Sequence, residues 1–264
     1  VCSLLLRWPD ETNPLRFVGG FDIVGDIEVS GLFRPLQVNE SSLVGLPALL
    51  GPQADDNLSR MFRRARPGTH DEDLRRLTLE EVELGFADGP FDLSQMNEMF
   101  GQSQWRPLER FIHVQACGKL RCIDSGKKPG HNAASRERET IFTYTVDVVP
   151  AIMREVMRLA TEIDADNPCK QLHFVIGTED MENAYRQCPI NPAHRCCSCV
   201  AFWDCTSESV KFIVLNGLPF GLSSAVLAFN RTPALLSCVA RRCCAAPAVF
   251  FFDRSEERRV GKEC

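Results

Sequence analysis

Two aspartates, Asp180 and Asp253, follow apolar stretches that read as strands. The stretch "QLHFVI" (171–176) lies shortly before Asp180, and "AVFFF" (248–252) ends directly on Asp253. If these strands lie side by side, both carboxylates reach one edge of a sheet. Mg²⁺ favours such carboxylates together with water and substrate phosphates, and a metal pair supports in-line phosphoryl transfer. Spacing alone equally allows surface or capping aspartates.

A second candidate site is the pair Lys119 and Arg121, two residues apart in an extended segment. Side chains at this spacing share one face of a strand. An ammonium beside a forked guanidinium suits a triphosphate. The alternative is a solvated edge strand, on which charged side chains are common.

The elements that position these residues follow from capping signals and hydrophobic periodicity. Thr78 with Glu81, and Asp92 with Gln95, predict two short helices that stop at Gly85 and Gly101. The remaining elements are an extended segment that turns at Gly118, a helix near 150–164, an extended hairpin at "RCCSCVAFWDC" (195–205), a strand at "VKFIVL" (210–215), and a helix that starts at Ser223 or Ser224 and breaks or kinks at Pro233. This order predicts an α+β fold with helices on one face of a small antiparallel sheet.

Residues 1–77 contain many turn-forming residues and no repeat, which predicts an irregular N-terminal extension. No apolar run approaches the roughly 20 residues that a membrane span needs, so we expect no membrane partner. The net charge of −5 disfavours tight nonspecific binding of nucleic acid. Two local basic clusters, "RMFRRARPG" (60–68) and "SGKKPG" (125–130), are nevertheless compatible with a local basic groove.

The chain contains 13 cysteines at irregular spacing and no secretion signal. Reduced thiols are therefore expected, with an intracellular location, cytoplasmic or nuclear. A cysteine-rich zinc module is an alternative, drawing on Cys188, Cys196, Cys197, Cys199, Cys205 and His194. Only Cys197 and Cys199 come near the paired spacing of structural zinc sites.

Three further stretches occur in order: "DMENAYRQCPI" (180–190), "NGLPFGLSSAVLAFNR" (216–231) and "FFFD" (250–253). Together they resemble the palm motifs of retroelement reverse transcriptases, RNA-directed DNA polymerases, of the type seen in protist and especially dinoflagellate retroelements. The family has Ala-Tyr four and five residues after an aspartate, a Leu-Pro-x-Gly turn that enters a helix, and an aromatic-x-Asp-Asp hairpin. The segment 110–134 is similar to the fingers of the same family, so the resemblance covers 78–253.

The resemblance implies the fingers and partial palm of a right-hand polymerase, without a thumb. Asp180 and Asp253 would be catalytic and hold two Mg²⁺ ions, or Mn²⁺. The other implied roles are phosphate binding by Lys119 and Arg121, exclusion of a ribose 2′-hydroxyl by Tyr185, packing on the nucleotide by Phe220, and close backbone approach at Gly221. A core tyrosine, a core phenylalanine and a simple turn are the alternatives for the last three residues. The implied partners are a dNTP and an RNA or DNA template–primer duplex; the oligomeric state is not indicated.

The last motif departs from the family, since Arg254 stands where a second aspartate is expected. The string that follows, "SEERRVGKEC", looks like a translated sequencing adapter, so 254–264 is interpreted as an artefactual tail. We therefore expect no primer extension by this 264-residue chain. A noncatalytic nucleic-acid-binding relic of a polymerase is the main rival hypothesis.

Overall fold

A computed structural model describes residues 7–163, except 143 and 146, and residues 181–250, except 245. Its α-helices are α1 (Asn13–Gly19), α2 (Pro52–Arg64), α3 (Asp71–Glu83), α4 (Leu93–Phe100), α5 (Val148–Ile163) and α6 (Ser223–Cys243). Its strands are β1 (Gly25–Asp26), β2 (Arg34–Pro35), β3 (Ala87–Phe91), β4 (Leu108–Val114), β5 (Leu120–Ser125), β6 (Ser135–Arg136), β7 (Glu139–Thr140), β8 (Cys199–Asp204) and β9 (Ser209–Leu215). Short 3₁₀ helices lie at Leu46–Ala48, Ala184–Gln187 and Pro192–Cys197. The α+β class predicted from the sequence is confirmed.

The central sheet has five strands in the order β3-β9-β8-β4-β5. Neighbouring strands are antiparallel except for β4 and β8, which pair in parallel through Leu108 with Val200 and Glu109 with Ala201. The sheet is therefore mixed, and the prediction of an antiparallel sheet was wrong. The reason is that the hairpins β4–β5 and β8–β9 join through their first strands, which run in the same direction.

Helices cover both faces of this sheet, which corrects the prediction of helices on one face. Leu74 of α3 belongs to the cluster that contains Val200 and Phe202 on one face of β8. On the other face, Cys199 and Ala201 belong to a cluster with α2 and α4, represented by Met61 and Met96. Side chains on both faces of β8 are buried, which requires helices to pack against each face of the sheet.

Several element predictions are confirmed, most closely α4. Asp92 and Gln95 form the predicted capping box, and the helix ends at Gly101. The hairpin that turns at Gly118 and the helix near 150–164 are also present. The strand predicted at 171–176 lies outside the described residues, and residues 248–250 of the last predicted strand are described without strand structure.

Two local predictions were wrong. Thr78 does not cap a helix; it lies buried inside α3, which already begins at Asp71. Three acidic residues in the first turn of α3 favour that earlier start, because they face the positive end of the helix dipole. The segment 195–205 does not form a hairpin by itself; it supplies one strand, β8, which pairs with β9. Of the two alternatives for Pro233, a break is excluded because α6 continues to Cys243, and a kink stays a prediction.

Residues 7–77 contribute directly to the main core. Phe21, Ile23 and Leu49 are almost fully buried in the cluster that also contains Val200. The short strands β1 and β2 pair with β6 and β7. The sequence indicated none of this order, because frequent turn residues separate the short apolar pieces. Within the described residues, no helix is long and apolar enough to cross a membrane.

Candidate functional site

A cleft of about 390 Å³ opens between the second half of α3, the start of β5 and the segment that follows Asp180. It is lined by Lys119 and Arg121, by Met181 to Ala184, and by the ring of Phe220. These residues come from three of the stretches singled out in the sequence. The fold therefore brings the fingers-like segment, the stretch after Asp180 and the Leu-Pro-Phe-Gly turn to one place.

Lys119 and Arg121 occupy the hairpin between β4 and β5. Lys119 is exposed at the end of the turn, and Arg121 is half-buried in β5, opposite His113. The Nε of Arg121 is a buried polar atom without a hydrogen-bond partner among the described residues. Both residues thus line the cleft, although the Nε atom of Arg121 is itself enclosed by protein.

A buried network of four charged side chains adjoins the cleft: Glu81 and Arg186 line it, and Arg110 and Asp124 lie buried behind them. Arg110 Nε donates to Asp124 Oδ1 at 2.7 Å, and Arg186 Nη2 donates to Asp124 Oδ2 at 2.9 Å. Both arginines also bond to Glu81, at 2.9 Å from Arg110 and 3.1 Å from Arg186. The side chains of Arg110 and Asp124 have no exposed surface, so each must be paired.

Burial alone would raise the pKa of Asp124, but the two arginines outweigh burial and hold its pKa below the ordinary value. Asp124 therefore stays ionised, and two guanidinium groups share its two oxygens. Burial raises the pKa of the neighbouring Cys122 to about 11, so that thiol stays neutral. The network joins α3, β4, β5 and the 3₁₀ helix at Ala184–Gln187, which fixes the segment just after Asp180 against the sheet.

Sequence reasoning missed Arg110 and Arg186 and assigned Glu81 to a helix cap. The available signal was the alternation of β4, in which Arg110 falls between Leu108 and Ile112 on an otherwise apolar face. An arginine on such a face needs a buried acidic partner. No local sequence signal identifies which aspartate or glutamate is that partner.

Tyr185 and Phe220 form an aromatic stack behind the cleft. The Tyr185 ring stacks on Phe229 with centroids 4.8 Å apart and touches Phe220 at 4.9 Å. Tyr185 is only 2% exposed, whereas Phe220 is half-buried and lines the cleft. The Arg186 guanidinium lies 5.0 Å above the Phe220 ring. A sugar-gating role for Tyr185 stays a prediction, and it requires this buried ring to become accessible.

Gly221 has a φ of +101°, and a Cβ there would lie 2.3 Å from the carbonyl oxygen of Asp124. The backbone N–H of Asp124 donates to the Phe220 carbonyl at 3.1 Å, and Asn132 Nδ2 donates to the Gly221 carbonyl at 3.2 Å. The close approach that needs glycine is therefore to the protein's own strand β5. Whether a substrate also uses it stays a prediction.

The two predicted metal ligands, Asp180 and Asp253, lie outside the described residues, as does Arg254. Within the described part of the chain, no group of three or more His, Cys, Asp or Glu side chains is arranged to hold a metal ion. Burial raises the pKa of Cys188 to about 12, and it also raises the pKa of Cys199 well above the ordinary value. Metal binding by these thiols requires deprotonation, which burial opposes.

Comparison with known proteins adds no assignment: no protein-family model, no curated protein and no solved structure matches the chain.

Proposed function

We propose that the chain is a fragment of an RNA-directed DNA polymerase that binds a deoxynucleoside triphosphate in the cleft beside Lys119 and Arg121. What supports the proposal most is one observation. Segments far apart in the sequence, each resembling a different reverse transcriptase motif, meet around this cleft: Lys119 to Asp124, Met181 to Tyr185, and Leu218 to Gly221.

The triphosphate end of the nucleotide would contact Lys119 and Arg121. Neither side chain has an ion pair within the described structure, so both charges are available to phosphate oxygens. Arg186 lies close by but is already committed to Asp124 and Glu81. It would orient the Phe220 ring and the backbone after Asp180, without needing to touch the nucleotide.

Asp180 and Asp253 would hold the two Mg²⁺ ions that the resemblance implies. Bound metal would stabilise the charge that develops during attack of a primer 3′-hydroxyl on the α-phosphate. The protein's own contribution is positioning, because in phosphoryl transfer most of the catalytic effect comes from orientation and electrostatics. The buried network supplies rigidity to that arrangement.

The first test is binding of dATP and ATP to the purified chain by calorimetry, with Mg²⁺ present. The double variant Lys119→Ala/Arg121→Ala should bind dATP at least about tenfold more weakly, since each charge-assisted hydrogen bond contributes about 1.5–3 kcal/mol. The matched control, Arg154→Ala/Arg242→Ala, removes two exposed arginines that do not line the cleft.

Equal losses in the two double variants, or no dATP binding by the unmodified chain, would contradict the proposal. Preference for dATP over ATP would support the role of Tyr185 in excluding a ribose 2′-hydroxyl. Binding of oligonucleotides without any binding of dATP would instead favour the noncatalytic relic.

A further inference from the structure

The two basic clusters that are separate in the sequence meet on one face of the protein. Arg60 and Arg64 lie one turn apart on α2, so they point the same way. Together with Lys128 they line one small cavity of about 30 Å³. The clusters at 60–68 and 125–130 therefore form one positively charged surface.

A buried arginine holds this surface together. Arg106 donates to the carbonyl oxygens of Leu49 at 3.1 Å, Gln53 at 2.6 Å and Pro129 at 2.7 Å. The first two carbonyls flank the start of α2, and the third lies beside Lys128. The approach of Lys128 to α2 is thus fixed by hydrogen bonds in the protein interior.

An exposed aromatic ring borders the same surface. A groove of about 290 Å³ continues from Arg64 and is also lined by Arg66, Phe111 and Trp203. Phe111 is 45% exposed. It shares a strand face with Glu109, two residues earlier on β4. A large exposed ring flanked by arginines is the arrangement on which unpaired bases stack while phosphates contact the cations.

The charge balance of the surface is opposite to that of the chain. The chain carries −5 overall, yet six basic residues lie exposed in these two segments: Arg60, Arg63, Arg64, Arg66, Lys127 and Lys128. Two acids lie among them. The Glu109 carboxylate lies 3.8 Å from the Lys128 ammonium, and Asp71 lines the same groove and accepts from the Gly68 N–H at 2.6 Å. In an acidic protein, such a patch attracts a polyanion locally.

We propose that this basic surface, comprising Arg60, Arg64, Arg66, Lys128 and Phe111, binds a single-stranded nucleic acid. The cations would contact successive phosphates, and Phe111 would stack on a base. A duplex fits less well, because its bases are already stacked and cannot use the ring.

The surface is separate from the nucleotide cleft. Its groove borders the first turns of α3, at His70, Asp71 and Leu74, whereas the cleft borders the last turns, at Leu77 to Leu84. The two share no lining residue, although Leu74 and Leu77 are only three positions, about 4.5 Å, apart along this helix. The inference therefore does not rest on the proposed polymerase function, and it can be tested without dNTP or Mg²⁺.

The test is fluorescence anisotropy of labelled oligo(dT) of about 20 nucleotides, titrated with the full chain at several salt concentrations. The triple variant Arg60→Ala/Arg64→Ala/Lys128→Ala should bind at least about tenfold more weakly at low salt. Its plot of log affinity against log salt should be shallower by about 2, since each lost phosphate contact on a single strand removes about 0.7. The control Arg154→Ala/Arg241→Ala/Arg242→Ala removes the same charge elsewhere and should keep the unmodified slope.

A second arm separates base stacking from simple charge attraction. Phe111→Ala should weaken oligo(dT) binding roughly tenfold, and Phe111→Trp should retain it. Lys119→Ala/Arg121→Ala should leave oligo(dT) binding unchanged, which distinguishes this surface from the cleft. Circular dichroism melts verify that each variant is folded.

Three results would overturn the inference. One is an equal loss of affinity in the two triple variants. Another is unchanged binding by Phe111→Ala together with full displacement of oligo(dT) by inorganic polyphosphate, which would indicate a general polyanion patch. The third is tighter binding of a duplex of the same length than of oligo(dT).

Discussion

Individual residues around the cleft are constrained by the protein's own backbone. Gly221 combines a positive φ with a carbonyl oxygen in the space where a Cβ would go. Gly85, at the end of α3, has a comparable φ of +77° but nothing within 4 Å of a Cβ position. Replacing each glycine with alanine therefore distinguishes the cost of backbone strain, present at both positions, from the cost of a clash with the backbone, present only at Gly221.

We expect Gly221→Ala to lower the free energy of unfolding by about 3 kcal/mol or more, because strain and clash add. Gly85→Ala should lower it by only about 1 kcal/mol, from strain alone. Urea denaturation of both variants measures the difference. Equal losses would mean that the turn at Gly221 moves freely away from β5.

For individual residues, the sequence predicted positions that depend on residues nearby in the chain. Lys119 and Arg121 line one cleft, which agrees with their spacing of two residues, because strand alternation is a local property. The network of Arg110, Asp124 and Arg186 was not predicted, because the hydrogen bond between Asp124 and Arg186 joins residues 62 positions apart. No periodicity specifies which buried acid meets which arginine.

Among the elements, α4 shows how far local signals reach. Its start and end were predicted because the cap residues Asp92 and Gln95 and the terminal Gly101 are all close in sequence. Asp92 has a second role, since its carboxylate also pairs with Lys211 of β9. A cap and an ion pair thus depend on one side chain.

Replacing Asp92 separates these two roles. Asp92→Ala should lower the free energy of unfolding by about 1 kcal/mol, since both the cap and the pair are lost. Asp92→Asn keeps an acceptor for the cap and loses only an ion pair whose carboxylate is exposed, so the free energy of unfolding should fall by less than about 1 kcal/mol. Thermal or urea unfolding measures both, and a larger loss in Asp92→Asn would show that the pair with Lys211 dominates.

Other elements could not be predicted, for physical reasons. The parallel pairing of β4 with β8 depends on the orientation in which two hairpins pack against each other. The sequence of each hairpin carries no signal for that orientation. The helix α2 begins with Pro52 among other turn-forming residues, so its start resembled a loop. Pro233 sits inside α6 because tertiary packing of the flanking buried residues outweighs the lost hydrogen bond.

Across the whole molecule, the first described residues are tied to the last described helix. Arg231 of α6 donates to Asp10 at 2.6 and 2.7 Å and to Glu28 at 3.1 Å. The Asp10 side chain has no exposed surface. Residues 7–35 are therefore part of the same folded unit as the sheet, although the sequence suggested an irregular extension.

We expect Arg231→Ala to lower the free energy of unfolding by about 3 kcal/mol or more, because it leaves the buried Asp10 carboxylate unpaired. Hydrogen exchange should increase both in residues 7–35 and in α6. The control Arg138→Ala breaks pairs between half-exposed or exposed groups, with Asp26 and Glu40, and should cost at most about 1 kcal/mol. Faster exchange confined to one of the two regions would contradict their coupling.

The contact between Asp10 and Arg231 also affects the order of events during synthesis on the ribosome. These residues are 221 positions apart, so at about 5–20 residues per second Asp10 waits on the order of 10–40 s before its partner is translated. Throughout that time the apolar residues near it, including Phe21 and Ile23, have no completed core to enter. The described core should therefore be completed only after α6 has been synthesised.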